Sequence, residues 1–166
     1  MQNLVVEVRS LCQMAHLIML SGMRLDATTL SAHVLLGLRK APRNELAWVE
    51  VIRSGVSGRA ADKLAAPLDW TLQELATAIN VPLRTLHRHK AAGTRLLKGD
   101  AERLVRFAQV LERVQAVFED PKKSAAWLSG PVLGLGGRAP RELLDTDAGA
   151  TLVLSELDRL EHGIFS

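Results

Sequence analysis

TLQELATAINVPLRTLHRHK, residues 71–90, carries the clearest structural signals in this chain of 166 residues. Thr71 and Glu74 have the spacing of a capping box, in which each side chain bonds the other residue's backbone N–H at a helix start. Asn80 tolerates the left-handed conformation that ends a helix, and Pro82 is favoured in the first turn of the next helix. Two short helices joined by such a turn predict a helix-turn-helix.

The second helix of this unit has the side chains of a DNA reader. It is expected from about Leu83 to Ala91, with Leu86 as its buried anchor and Gly93 at its end. In this motif the second helix lies in the major groove, where Arg pairs with guanine and Thr contacts a thymine methyl or a phosphate. Other cations nearby contact phosphates and position the protein. The predicted DNA-binding residues are Arg84, Thr85, Arg88 and His89 on the outward face, and Lys90, Arg95 and Lys98 at phosphates.

Charge is distributed unevenly along the chain. Residues 84–106 hold five Arg and two Lys against two acids, whereas residues 142–161 hold six acids against Arg159 alone. A basic middle and an acidic end indicate two surfaces with different partners. For the basic part, an ordinary helical hairpin with a solvated face is the alternative to DNA binding. RNA binding is disfavoured because the helix has no aromatic side chain beyond two His for base stacking.

The composition is that of a globular protein, with 48% hydrophobic and 23% charged residues. One Cys and five scattered His give no metal-ligand spacing, and no nucleophile stands at a recognisable distance from a base. We therefore expect no catalytic residue, no metal and no cofactor. The apolar residues 11–20 are too short to span a bilayer and the single Cys fits a reducing compartment, so we expect a cytoplasmic protein. A signal peptide is the weaker alternative.

Apolar spacing predicts helices before the helix-turn-helix, and no segment reads convincingly as a strand. Residues 32–38 look helical, and Pro42 or Asn44 can open a further helix. The buried face of that helix is assigned to Leu46, Val49 and Ile52. Residues 59–65 read as another short helix. Residues 1–45 match no motif, and they either pack on the rest or help dimerisation.

Three helices are predicted after the helix-turn-helix. They are a long amphipathic helix capped by Asp100, a short one at 122–128 that follows Asp120-Pro121, and a last one at 148–161 capped by Thr146 or Asp147. The buried face of the last helix is assigned to Ala148, Leu152, Ser155 or Leu154, and Leu157. The letters GLGGRA at 134–139 match a dinucleotide-binding fingerprint, but the flanking prolines and the lack of a preceding strand favour a tight glycine loop.

Several short motifs of the second half occur together. They are Phe118-Glu119-Asp120, Ala126-Trp127-Leu128, LGGRAP at 135–140, Leu143-Leu144, Gly149 and EHGIF at 161–165. With Leu75-Ala76 and RTLHR at 84–88 upstream, they make residues 57–166 resemble the Xre/MbcA/ParS antitoxins, the partners of RES-domain toxins.

The resemblance implies an all-α protein with an Xre-like helix-turn-helix DNA-binding unit followed by a small helical toxin-binding domain. It implies an antitoxin, not an enzyme, which occludes the active site of a NAD-depleting RES-domain toxin and represses its own operon. We expect an extension at 1–45, a DNA-binding region at 46–106 and a toxin-binding domain at 107–166. A homodimer is expected because two half-sites are needed for tight operator binding. The alternative is a stand-alone transcriptional regulator with a C-terminal dimerisation domain.

Given this resemblance, the acidic last helix and its apolar end are expected to contact the toxin. A toxin that binds NAD should have a basic pocket, which an acidic helix with an apolar tip could plug. Ile164 and Phe165 either dock on the chain's own core or anchor in the partner. The predicted toxin-binding residues are Arg159, His162, Gly163, Ile164 and Phe165.

Overall fold

The computed structural model describes residues 31–163, and predictions for residues 1–30 and 164–166 lie outside the described residues. The helices in this range are α1 (Ala32–Leu35), α2 (Glu45–Ser54), α3 (Ala60–Ala65), α4 (Leu72–Ala78), α5 (Leu83–Ala92), α6 (Gly99–Phe118), α7 (Pro121–Ser129) and α8 (Asp147–Glu161). Short 3-10 turns cover Ala66–Leu68, Leu133–Leu135 and Pro140–Glu142, and two strands are β1 (Val56–Ser57) and β2 (Arg95–Leu96). The predicted all-α class is confirmed.

Helix α6 is the centre of the fold and contacts α1, α2, α7 and α8. The helix is amphipathic, as predicted, and its apolar side is buried at the core through Leu104, Phe107, Ala108, Leu111 and Val114. The indole of Trp70 packs on the ring of Phe107, with ring centroids 5.8 Å apart. One continuous hydrophobic cluster joins residues from α1 to α8. The predicted boundary between residues 106 and 107 therefore lies inside a single helix and a single core.

Helix α2 forms as predicted but packs through a different face. Asn44 caps it by accepting a hydrogen bond from a backbone N–H three residues on, at 2.9 Å. Leu46 is 68% exposed and Val49 is also exposed, so their assignment to the buried face was wrong. The side chains that pack against the core instead are Trp48, Val51 and Ile52. A Trp side chain buries more apolar area than a Leu side chain, so the helix packs with the face that carries Trp48 toward the core.

A small antiparallel sheet was missed by the sequence analysis. Val56 pairs with Leu96, and Ser57 pairs with Arg95. Two residues per strand leave no alternation to detect, so no periodicity could have indicated it. The sheet joins the segment after α2 to the segment after α5, and it holds the end of the helix-turn-helix against the rest of the chain.

Two helix boundaries differ from the prediction. Helix α1 ends at Leu35, short of residue 38, because Gly37 adopts a left-handed φ of 69°. Asp100 does not cap α6, since Lys98 occupies that position with a φ of 54°. Asp100 lies in the first turn, where it accepts a hydrogen bond from Arg103 at 3.4 Å.

Helix α8 is rotated relative to the predicted orientation. Thr146 caps it by accepting from the Gly149 N–H at 3.1 Å. A Cβ on Gly149 would collide with the Leu143 carbonyl, so the missing side chain lets α8 approach the preceding turn closely. The buried residues are Gly149, Ala150, Val153, Glu156 and Leu157. Ala148 and Leu152 are exposed, and their assignment to the core was wrong.

No helix within residues 31–163 combines the length and the apolar character that a membrane span requires.

Candidate functional surfaces

Local hydrogen bonds define both helices of the helix-turn-helix. The Thr71 hydroxyl accepts from the Glu74 N–H at 3.2 Å, and the Glu74 carboxylate accepts from the Thr71 N–H at 2.8 Å. The backbone N–H and hydroxyl of Thr71 hold the pKa of the Glu74 carboxyl below its usual value. Asn80 and Gly93 take left-handed φ values of 51° and 63°. The predicted capping box, turn and helix end are therefore confirmed.

Helix α5 is held by one face and leaves the other open to solvent. Leu86 is fully buried against the core and is the buried residue of this helix. The backbone at Lys90 passes directly over Gly58, where a Cβ would lie 2.6 Å from the Lys90 nitrogen. This close approach needs a glycine at position 58. As a result α5 sits rigidly on α3 and β1 with its polar side outward.

The four predicted base-facing residues share the outer part of α5 but differ in their contacts. Arg84 and Arg88 are exposed, and neither pairs with a carboxylate within residues 31–163. Thr85 is half-buried. His89 shares a hydrogen bond of 2.8 Å between its Nδ1 and the hydroxyl of Thr94, which turns the ring toward the end of the helix. Arg84 and Arg88 are therefore the two side chains most available to a groove.

The three predicted phosphate-contacting residues are not equivalent. Lys90 pairs with Asp62 at 2.8 Å, and both side chains remain partly exposed. Arg95 donates to the backbone carbonyls of Ser54 and Gly55 at the end of α2, at 3.4 and 3.1 Å. Lys98 is exposed. Because exposed ion pairs are weak, Lys90 can exchange Asp62 for a phosphate, whereas Arg95 also stabilises a helix end.

Two arginines of α6 connect this helix to both ends of α8. Arg106 is largely buried and forms ion pairs with Asp147 and, at 3.5 Å, with Glu102. It also donates to the Asp145 carbonyl at 3.4 Å. Arg106 and Arg113 are seven residues apart, which places them on the same side of a helix. Arg106 therefore fixes the start of α8.

Arg113 fixes the end of α8. Its guanidinium donates to Asp158 at 2.7 Å and to both carboxylate oxygens of Glu161, one of them at 3.3 Å. These bonds lower the pKa of the Glu161 carboxyl and raise the pKa of Arg113. The sequence analysis missed both arginines. Their spacing on an amphipathic helix was the available signal, but it did not identify the acids that they meet.

The acidic end of the chain is largely paired within the protein. Four of the six acids at 142–161 are in ion pairs: Asp147 with Arg106, Asp158 and Glu161 with Arg113, and Glu156 with Arg159. The excess negative charge offered to a partner is therefore smaller than the sequence suggested. The expectation of a strongly acidic plug is weakened accordingly.

Three of the predicted toxin-binding residues lie at or just after the last turn of α8. Arg159 donates to the buried Glu156 at 3.0 Å, and His162 bonds the Asp158 carbonyl through Nδ1 at 2.7 Å. Gly163 takes a left-handed φ of 66°, as at many helix ends. Ile164 and Phe165 lie outside the described residues. The structure thus brings Arg159, His162 and Gly163 together at one end of the molecule.

The glycine-rich segment forms a tight loop that packs on α8. The Val132 N–H bonds the Arg138 carbonyl at 3.1 Å, and Gly136 and Gly137 take φ values of 68° and 76°. A Cβ on Gly134 would collide with the carboxylate of Glu156, so the glycine lets the loop lie directly against this side chain. The predicted glycine loop is confirmed. Nearby in the sequence, Trp127 is half-buried and packs on Phe118, with ring centroids 5.6 Å apart.

Other surface features offer less chemistry. An open cleft of about 580 Å³ lies between α4 and the turn at Pro140–Glu142, with Glu74 and Arg141 among its lining residues. Its charges are mixed, and Arg141 contributes to the lowered pKa of Glu74. Among the described residues, no group of three or more His, Cys, Asp or Glu is placed to hold a metal ion.

Comparison with known proteins assigns a family to each half of the chain. The Antitoxin Xre-like helix-turn-helix domain matches residues 47–109. The Antitoxin Xre/MbcA/ParS C-terminal toxin-binding domain matches residues 113–163. The two matches meet inside α6.

Individual relatives agree with these matches. Antitoxin Xre of Yersinia enterocolitica is 34% identical over 119 residues, which cover 71% of this chain and 80% of that protein. The Prs ADP-ribosylating antitoxin of a Sphingobium species is 26% identical over 127 residues, with coverage of 71% and 80%. A chain of the M. tuberculosis MbcT–MbcA toxin–antitoxin complex has a TM-score of 0.53 at 21% identity, and the match covers 66% of this chain and 96% of that chain. This last likeness shows a shared fold.

Proposed function

Because the chain belongs to the Xre/MbcA/ParS family of antitoxins, we propose that it occludes the active site of a RES-domain toxin and represses its own operon as a DNA-bound homodimer. Its relatives are named antitoxins, a non-enzymatic class, and the chain is therefore an antitoxin and not an enzyme. Beyond family membership, the proposal specifies the kind of toxin, the mode of neutralisation, the binding to operator DNA and the dimeric state. We also propose that the chain acts in the cytoplasm.

The observation that carries the toxin-binding half is the fixed exit of the chain from α8. Arg113 holds Asp158 and Glu161, so the chain leaves the helix at Gly163 in a defined direction. A preorganised helix end loses less conformational entropy on binding than a mobile one. We propose that Arg159, His162, Gly163, Ile164 and Phe165 enter or cover the toxin's active site from this exit.

The nature of the toxin is proposed from chemistry shared by two descriptions. RES-domain toxins, which the sequence resemblance implies, deplete NAD, and the name of the Sphingobium relative refers to ADP-ribosylation of Prs. ADP-ribosyl transfer uses NAD as the donor, so both activities consume NAD. Loss of cellular NAD is therefore the first activity to measure, and ADP-ribosylation of Prs is the second.

The DNA-binding half is supported by the exposed cations of α5. Arg84 and Arg88 face solvent on a helix whose other side is anchored by Leu86. One such helix contacts few bases, whereas a dimer reads two half-sites about one helical turn apart. We therefore propose base contacts by Arg84, Thr85, Arg88 and His89, and phosphate contacts by Lys90, Arg95 and Lys98.

The proposed division of labour follows the sequence boundaries. Residues 46–106 bind the operator, residues 107–166 bind the toxin, and residues 1–45 are an extension. Ala32, Leu35 and Leu36 of this extension are buried against the rest of the chain, so its last part contributes to the core.

Co-expression tests the toxin-binding half. The protein encoded by the adjacent open reading frame, expected to be a RES-domain protein, is expressed alone and with this chain, and growth, cellular NAD and co-purification are measured. We expect the RES-domain protein to lower NAD alone, and the complete chain to bind it and restore NAD. Deletion of residues 163–166 should abolish protection while operator binding persists. Full protection by the truncated chain would refute occlusion by the tail. If nothing co-purifies with the complete chain, it is a regulator of another kind.

A further inference from the structure

We propose that Leu133 and Leu152 form an apolar anchor for the toxin on the outer face of α8, separate from the C-terminal tail. This inference rests on the proposed function, and it adds to the tail a second contact surface that would bind an apolar recess of the toxin. The surface, named here the α8 outer face, comprises the loop 132–138, the exposed residues Ala148 and Leu152, and the half-buried Arg159.

Leu133 is presented to solvent by a rigid loop. Its side chain is 95% exposed, the highest value among the exposed large hydrophobic residues of the described range. The backbone around it is closed by bonds from Leu135 and Gly137 to the Val132 carbonyl, both at 3.0 Å. A large apolar side chain on an ordered loop costs little conformational entropy when it enters a pocket. Such a side chain is suited to be a binding anchor.

Leu152 extends this surface along α8 toward the tail. It is 57% exposed, although its neighbour Val153 is fully buried. Ala148, Leu152 and Arg159 follow one another at intervals of four and seven residues, which places them on one side of α8, and Gly163 follows just past the end of the helix. The α8 outer face therefore runs directly into the residue where the proposed toxin-binding tail begins.

The loop and the helix are joined at a specific contact. Gly134, the residue after Leu133, lies against the carboxylate of Glu156, and Glu156 is one helical turn after Leu152. Glu156 in turn bonds Arg159 at 3.0 Å. These contacts fix the loop on the same part of α8 that exposes Leu152. A single partner can thus contact both leucines at once.

The chemistry of this surface defines its partner. Two exposed leucines need an apolar recess, and the nearby exposed cation Arg138 favours a carboxylate at its rim. Continuity with the tail identifies the occupant as the toxin, since the family match describes residues 113–163 as toxin-binding. The expected recess lies beside the toxin's active site, because the tail that starts at Gly163 is proposed to cover that site.

Aspartate substitutions test the anchor with a matched control. Leu133→Asp, Leu152→Asp and the double variant are compared with Leu46→Asp, which makes the same change at a 68% exposed site on α2. Affinity for the catalytically inactive RES-domain protein is measured by calorimetry, and circular dichroism checks folding. Each single variant should weaken toxin binding at least about tenfold and the double variant more, with Leu46→Asp unchanged. Leu133→Ser and Leu152→Ser should also weaken toxin binding, each by less than the corresponding aspartate substitution.

The outcomes separate this inference from the proposed function. If the complete chain binds the RES-domain protein and the leucine variants bind equally well, the anchor is refuted and the proposed function stands. If the complete chain does not bind it, both are refuted. If sedimentation shows that the variants lose self-association and retain toxin affinity, the α8 outer face contacts a second copy of this chain, and the toxin anchor is again refuted.

Discussion

Arg113 determines how the last turn of α8 is presented, because one guanidinium holds two carboxylates of that turn. Its bonds lower the pKa of the Glu161 carboxyl, so the ionised form is favoured in the folded chain. A depressed folded-state pKa stabilises the fold above the unfolded value of about 4.3. That stabilisation is lost as the pH falls through the folded-state pKa. The exit of the chain at Gly163 should therefore loosen in acid.

Replacing Arg113 tests this link directly. In Arg113→Met the pKa of Glu161 should rise toward the unfolded value of about 4.3, because the guanidinium that donates to its carboxylate is gone. Carbon-13 NMR titration of the Glu161 carboxyl measures it. Arg53→Met is the control, since within residues 31–163 Arg53 pairs with Glu50 alone, on the exposed side of α2. An unchanged Glu161 pKa in Arg113→Met would contradict the contact.

Gly149 supports α8 by having no side chain. A Cβ at this position would meet the Leu143 carbonyl, and backbone cannot move aside as a flexible side chain can. Gly149→Ala should destabilise the fold by about 1–3 kcal/mol, the usual cost of overpacking. Gly99→Ala is the matched control, because a Cβ there meets nothing within 4 Å and α6 already begins at this residue. The two variants are compared by urea unfolding, with the same dependence of the free energy of unfolding on urea concentration. Equal urea midpoints would show that the turn at Leu143 moves to make room for the added methyl group.

At the residue scale, short-range signals were predictable and long-range partners were not. The capping of α4 by Thr71 depends on residues three apart, and the left-handed Asn80 and Gly93 reflect backbone preferences of those residue types. The contact of Arg113 with Glu161 joins residues 48 apart. No local preference selects that pairing among the other acids, so only the fold could reveal it.

Among the elements, α5 is the one whose role follows from its outward face. Each Arg–guanine pair contributes about 1–3 kcal/mol of discrimination, so Arg84→Ala with Arg88→Ala should weaken operator binding by more than either change alone. Fluorescence anisotropy at fixed salt measures the affinity. Arg53→Ala removes the same charge from α2 and should have little effect. Unchanged operator affinity in the double variant would remove both residues from the interface, and toxin binding should be retained in every case.

Helix α8 shows what periodicity can and cannot decide. Its sequence carries apolar residues on two adjoining faces, and the spacing of Ala148, Leu152 and Ser155 is as regular as that of the true core face. The choice is made by Gly149, whose close contact with Leu143 turns Val153 and Leu157 inward. Hydrophobic spacing therefore predicted the helix correctly, but its rotation depended on a tertiary contact. The same holds for α2, where Trp48 displaces Leu46 from the core.

At the scale of the whole molecule, the proposed boundary between the two functional halves runs through a continuous hydrophobic core. Helix α6 begins next to the helix-turn-helix and ends in the toxin-binding half, and its buried side chains serve both. Trp70 packs on Phe107, which lies on the other side of the predicted boundary. Functional halves that share one helix are expected to unfold together.

A fragment that ends at Arg106 tests this coupling. It lacks Phe107, Ala108, Leu111 and Val114, which are all buried. Burying each large apolar side chain stabilises a fold by about 1.5–3 kcal/mol, and a domain of this size has only about 5–15 kcal/mol in total. Residues 31–106 should therefore show no cooperative unfolding, whereas residues 31–163 should unfold in one transition. Residues 31–118, which keep α6 whole, should regain helical circular dichroism. A sharp thermal transition and dispersed amide NMR signals for residues 31–106 would show instead that the DNA-binding half folds alone.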